Sequence, residues 1–252
     1  MFEEIITFLE ELFGAIEHLY NPENMDYSYN PFENEQEIDQ ETWDQFENYG
    51  VDTEVERTYY YELDNFDPAK YESMEGVYGY PDRAVDLWEE QEGNRCALYA
   101  QKFIIEEITG LDLDIEKMVA VAEAYGWFSE ERGTPLAYMN EMLNYCGIEN
   151  ETLNCSGYDE FKSYIQNGDR IIVAIDSDEY WYGEYDNLYE GEAPDHAVEV
   201  IGIDESDPEH PMVILNDSGL PNGQGVRVPA DTFMEAWEDS DYYMVRVPVN
   251  NN

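Results

Sequence analysis

The stretch Cys96-Ala-Leu-Tyr-Ala-Gln-Lys-Phe-Ile-Ile-Glu-Glu-Ile-Thr109, followed by Gly110, decides the reading of the fold. Leu98, Phe103, Ile104, Ile105 and Ile108 recur at three- and four-residue spacing, which predicts a helix with one broad apolar face. Gly110 is the expected stop, and Asn94 is an expected cap just upstream. Cys96 then falls at the helix N-terminus, where unpaired backbone N–H groups and the positive end of the helix dipole favour an anion. A thiolate is easier to form there than in water, so Cys96 stands in a nucleophile's position.

Upstream of this helix the chain changes character. Residues 2–20 set Phe2, Ile5, Ile6, Leu9, Leu12, Phe13, Ile16 and Leu19 among acids, the pattern of an amphipathic helix. That helix is expected to dock on the body, to self-associate or to bind a partner helix; its glutamate face argues against a membrane surface. Residues 21–85 are acidic and irregular, and read as a linker, with Trp43, Phe46 and Tyr59–Tyr61 suggesting that parts strap across the folded body.

Downstream, further helices are expected over 114–125, from Thr134-Pro135 to Gly147, and over 158–166. The period then shortens to that of strands: 170–176, 196–204, 212–217, 225–228 and 242–247, with one helix at 231–237. Helices first and strands later predict an α+β domain over 86–249 with a mainly antiparallel sheet.

The totals restrict the possible partners. Against 60 acidic residues stand 11 cationic ones, a formal charge of −49 that repels nucleic acid and anionic membranes and attracts basic peptides or proteins. The three cysteines form no disulfide framework or zinc pattern, and no cofactor motif is present. The acids between Asp176 and Asp195 lack the alternation and glycine of a calcium loop. The N-terminus carries acid where a signal peptide needs positive charge, and no apolar run nears the roughly 18 residues needed to cross a bilayer. A cytoplasmic location is the expectation.

Of the histidines, His18 and His210 read as surface residues, whereas His196 opens a strand after an acidic loop. Asn216-Asp217-Ser218-Gly219 ends the next strand at a turn, and antiparallel neighbours place that end beside the start of the strand before it. Cys96, His196 and Asp217 would thus supply a nucleophile, a base and the acceptor that orients the base. Gln91 could aim its amide at a developing oxyanion beside the Cys96 N–H. Cys146 reads as a packed thiol and Cys155 as a partly exposed loop thiol. The aromatic, acidic loop before His196 is expected to rim the cleft and favour basic or extended peptides.

In their order, Gln91…Cys96-Ala-Leu-Tyr-Ala-Gln, Gly133-Thr-Pro-Leu, Ile172–Glu179, Asp195-His-Ala-Val-Glu-Val-Ile-Gly-Ile-Asp204 and Val213–Gly219 resemble a papain-like cysteine peptidase. The branch is that of bacteriocin leader peptidases and their stand-alone bacterial relatives, cysteine peptidase family thirty-nine-like. The resemblance spans residues 86–247 and implies Cys96 as nucleophile, His196 as base, Asp217 as orienting residue and Gln91 in the oxyanion hole. It also implies the papain-like fold, with the cysteine at a helix start packed on the sheet. Gln91 stands one residue nearer the cysteine than the family pattern sets its glutamine. The competing expectation is a non-catalytic acidic module, a DNA mimic that fills the cationic groove of a basic partner.

Overall fold

The computed structural model describes residues 64–70, 74–182 and 194–249. The expected amphipathic helix over 1–20, and most of the acidic segment after it, lie outside the described residues.

In chain order the strands are β1 (Asp64–Asn65), β2 (Val77–Gly79), β3 (Glu151–Asn154), β4 (Arg170–Ile175), β5 (His196–Asp204), β6 (Met212–Asn216), β7 (Val226–Pro229) and β8 (Tyr243–Val247). The α-helices are α1 (Pro81–Ala84), α2 (Cys96–Thr109), α3 (Ile115–Ala124), α4 (Glu141–Tyr145), α5 (Tyr158–Asn167), α6 (Ser177–Tyr182) and α7 (Ala230–Glu238). The strands pair in the order β1-β7-β6-β5-β4-β8-β3, and β2 adds to β5. Every pairing is antiparallel. The molecule is α+β, as the sequence pattern predicts, with the cysteine-bearing helix packed on the sheet.

Side-chain alternation along the central strands explains why helices cover both faces. Ile172 and Ala174 of β4 point into one core with Leu98, Ile104 and Ile105 of α2, and with residues of α3 and α4. Ile171, Val173 and Ile175 point the other way, onto Phe161 and Ile165 of α5 and Phe233 and Trp237 of α7. A strand covered on both sides reads as a continuous apolar run, and all nine residues of β5 are buried.

The helix α2 runs over the residues its spacing predicts and ends at Gly110, whose φ of 70° is left-handed. Its N-cap is Arg95, with no side-chain cap. Asn94 instead donates to the Glu130 and Glu131 carbonyls, at 3.0 and 3.3 Å, and so pins the neighbouring turn. The helix expected from Thr134 to Gly147 is broken: a 3₁₀ turn over Leu136–Tyr138 precedes the short α4. Buried Gln101 of α2 provides the reason, because its Oε1 accepts from the Met142 and Leu143 N–H groups and fixes a new helix start there.

Two described stretches before residue 86 pair with the sheet, one at each of β1 and β2. The edge pair β1–β7 sets Asp64 opposite Arg227, and β2 extends the sheet along the C-terminal half of β5. Phe66, Tyr80 and Ala84 form a third apolar cluster with Ile201 and Ile214. Trp43, Phe46 and Tyr59–Tyr61, the aromatics expected to strap across the body, lie outside the described residues. Among the described residues, no helix is long and apolar enough to cross a membrane.

Candidate active site

Three elements converge on one crevice. Cys96 is the first residue of α2, His196 the first of β5, and Asp217 follows the last residue of β6. Glu199 lies opposite Asn216 in the β5–β6 ladder, so continuing that register sets His196 beside the turn that carries Asp217. His196 Nε2 donates to Asp217 Oδ1 at 2.7 Å. Cys96 is the other ionisable group acting on the imidazole, and with Nε2 on Asp217 the nitrogen left for it is Nδ1.

The pair is dry, with side-chain exposures of 3% for His196 and 0% for Asp217. Burial works against a charged imidazolium, but the adjacent Asp217 carboxylate and Cys96 outweigh it. His196 is therefore held well above the usual histidine range. The Asp217 carboxylate accepts two further bonds: Oδ1 also takes the Gly219 N–H at 2.8 Å, and Oδ2 takes Trp181 Nε1–H at 2.9 Å. Its backbone is held as firmly, with its carbonyl accepting from Trp88 Nε1 at 2.6 Å and its N–H donating to the Gly223 carbonyl at 3.0 Å. Gly223 lies so close to the Asp217 carbonyl that a Cβ there would overlap it.

Gln91 is tied to this same turn. Its backbone N–H donates to the Ser218 carbonyl, and Ser218 Oγ donates to Gln91 Oε1, both at 2.8 Å. With Oε1 occupied as acceptor, the amide nitrogen is the end left to donate, and it gives one bond to Gly93 O at 2.7 Å. A cleft of about 570 Å³ brings Gln91, Cys96 and His196 onto one lining, with Thr134, Leu136 and Trp181 among its walls. All four residues singled out from the sequence thus meet at one place.

The other expected features divide. Cys146 is packed as expected, and burial pushes its thiol up to about 12. Cys155, expected to be partly exposed, is buried, with Sγ turned toward Gly157 O and Glu160 Oε2 at 3.4 and 3.7 Å. The reason is that its neighbour Ser156 begins the turn into α5, where Glu160 takes the Ser156 N–H and draws the loop inward. His210 is exposed in its turn against Asp207. Most of the loop expected to rim the cleft, residues 183–193, falls outside the described residues, as does His18.

Trp88 and Gly219 bond to Asp217, and Ser218 to Gln91, in contacts that no local signal in the sequence announces. Trp181 is legible in the sequence only as one aromatic in the loop before His196; its bond to Asp217 is not. Among the described residues, no group of three or more His, Cys, Asp or Glu side chains is arranged to hold a metal ion.

No known family profile matches the chain. Uncharacterized proteins of Mycobacterium tuberculosis and Mycobacterium bovis are 26% identical over 195 residues, covering 67% of this chain and 83% of theirs. A solved structure from Bacillus anthracis, provisionally described as a C39-like peptidase, is similar at a TM-score of 0.48 and 15% identity. It is covered over 99% of its length and covers 70% of this chain.

Proposed function

We propose that the chain is a cysteine peptidase, a thiol hydrolase that cleaves a peptide or isopeptide bond through an acyl-enzyme on Cys96. The observation that supports this reading is the arrangement at the cleft: Cys96 and His196 share one lining, and His196 Nε2 is bonded to buried Asp217 at 2.7 Å. An imidazole held between a thiol and a carboxylate is built to take a proton from sulfur and keep the resulting charge.

In this reading the Cys96 sulfur attacks the substrate carbonyl carbon while His196 holds the proton that sulfur gave up. The carbonyl oxygen becomes an oxyanion, facing the uncapped start of α2 and the second N–H of the Gln91 amide. Each such donor is worth on the order of 10²–10³ in rate. Collapse of the intermediate breaks the C–N bond, and His196 passes its proton to the leaving amine. A water then attacks the thioester, gives its proton back through His196, and releases the acid product with a free thiol. Asp217 stays ionised throughout and fixes the imidazole with Nε2 protonated.

The first test is intact-mass and peptide-mapped alkylation with iodoacetamide at neutral pH. Cys96 is expected to react far ahead of Cys146 and Cys155, which are each 4% exposed. Cys96→Ser is expected to remove both the fast alkylation and any hydrolysis of a mixed peptide pool, with the thermal midpoint nearly unchanged. Equal, slow reaction of all three thiols would end the proposal.

A further inference from the structure

Asp217 Oδ2 faces away from His196, and the group that fills it comes from neither strand of the β5–β6 pair. It comes from α6, a short helix inserted between β4 and β5. Trp181 of that helix donates Nε1–H to Asp217 Oδ2 at 2.9 Å and lays its ring against His196, with ring centroids 5.1 Å apart at 58°. One side chain therefore touches both members of the pair, its N–H on the carboxylate and its ring tilted beside the imidazole. Room for it exists because residue 219 has no side chain: a Cβ there would stand 2.9 Å from His196 Cε1 and 3.1 Å from Trp181 Cζ2.

The start of α6 is fixed by the residue preceding the base. Asp195 accepts from the Ser177 N–H at 2.9 Å and the Ser177 hydroxyl at 3.0 Å. Its own N–H donates to the Ile175 carbonyl at 3.2 Å, one step beyond the β4–β5 ladder. The base and the helix carrying Trp181 are thus registered to each other through adjacent residues, Asp195 and His196.

We propose that Trp181 is a positioning residue for the His196–Asp217 pair, and that the Asp195–Ser177 clamp sets its place. The proposal rests on the reading of Cys96, His196 and Asp217 as a peptidase centre. Trp181 keeps the carboxylate turned with Oδ1 toward the imidazole and excludes water from the bond between them. Without it Oδ2 loses its Trp181 bond and is open to water, and the hold of the carboxylate on the imidazolium weakens. The titratable groups acting on His196 are Asp217 after β6 and Cys96 on α2; Asp195, its chain neighbour, is turned to Ser177.

The test is the pH dependence of Cys96 alkylation by iodoacetamide in the full chain, for wild type, Trp181→Phe and Ser177→Ala. Trp181→Phe keeps a ring over His196 and deletes the N–H. The acid limb of its profile is expected to move to higher pH by about half a unit or more, lowering the rate at a fixed pH on that limb by about 3- to 10-fold. Ser177→Ala leaves the backbone bond to Asp195, so it should shift the limb in the same direction by less. A loss of fold stability alone would change the melting temperature and leave the limb in place. A Trp181→Phe limb that superimposes on wild type, or moves to lower pH, overturns the positioning role. An unmoved Ser177→Ala limb overturns the clamp. Should Trp181→Phe fail to fold, Ser177→Ala decides the whole proposal, an unmoved limb overturning it. A wild type in which Cys96 reacts no faster than the buried cysteines overturns the peptidase reading itself, and with it this one.

Discussion

At the scale of single residues, the site is organised around how completely Asp217 is held. His196 and Gly219 hold Oδ1, Trp181 holds Oδ2, Trp88 holds the carbonyl and Gly223 takes the backbone N–H. A carboxylate in a dry site with hydrogen bonds on both oxygens stays ionised and has one orientation, which is what an imidazole needs from its partner. Gly219 is required there for space, since a Cβ would enter the gap shared by His196 and Trp181. Gly219→Ala is therefore expected to push the imidazole by a few tenths of an ångström. Misplacement on that scale should slow Cys96 alkylation and peptide hydrolysis by about tenfold or more. The thermal midpoint, read by calorimetry, should fall by only a few degrees, because the surrounding turn is otherwise unchanged.

At the scale of elements, the helix that presents Cys96 is tied to its neighbours by buried polar groups as well as by its apolar face. Gln101 is fully buried; its Nε2 donates to Ala97 O and its Oε1 takes two N–H groups at the start of α4. Gln101→Leu keeps the volume and strands both α4 donors, so it should cost about 1–3 kcal/mol in chemical denaturation, more than a surface substitution would. Elements with strong periodicity, such as α2 and β5, are legible in the sequence because their burial is written in consecutive side chains. His196 and Asp217 are legible together because antiparallel register is a rule of adjacency that needs no coordinates. The strand β1 is not, because Asp64-Asn65 is polar and its identity as a strand comes only from pairing with β7. Nor is β3, whose edge residues are mostly exposed. The helix α6 carries Trp181 among acids and tyrosines with no apolar period, so its link to Asp217, 36 residues onward, is tertiary information. The Thr134–Gly147 stretch misleads because Thr134-Pro135 resembles a helix start, whereas Gln101 decides where α4 begins.

At the scale of the whole molecule, the formal charge of −49 makes the fate of each buried carboxylate matter for stability. Glu199 lies in the middle of β5, fully buried, taking Asn216 Nδ2–H at 3.0 Å and facing Tyr80 OH at 3.4 Å. Burial raises its carboxyl to about 8, against the Asn216 hydrogen bond, which acts to lower it. The folded state therefore holds a proton that the unfolded chain, with an ordinary glutamate, gives up near pH 4.5. Stability from this group is fully present below about pH 4.5 and declines as pH rises toward 8, by an amount on the order of a few kcal/mol. His196 acts with the same sign: its pairing with Asp217 stabilises the fold below the ordinary histidine value and is lost as pH climbs through its raised one. Glu199→Gln separates the two, because it removes one proton-linked group and keeps a side chain that can bond to Asn216 and Tyr80. Urea titrations from about pH 5 to about pH 8.5 should show wild-type stability falling with pH and the variant falling less, the variant being the more stable at about pH 8. Parallel curves for the two proteins would mean that Glu199 is ionised in the fold across the whole range, and that its burial among Tyr80, Asn216 and the β-ladder is met by charge stabilisation from elsewhere.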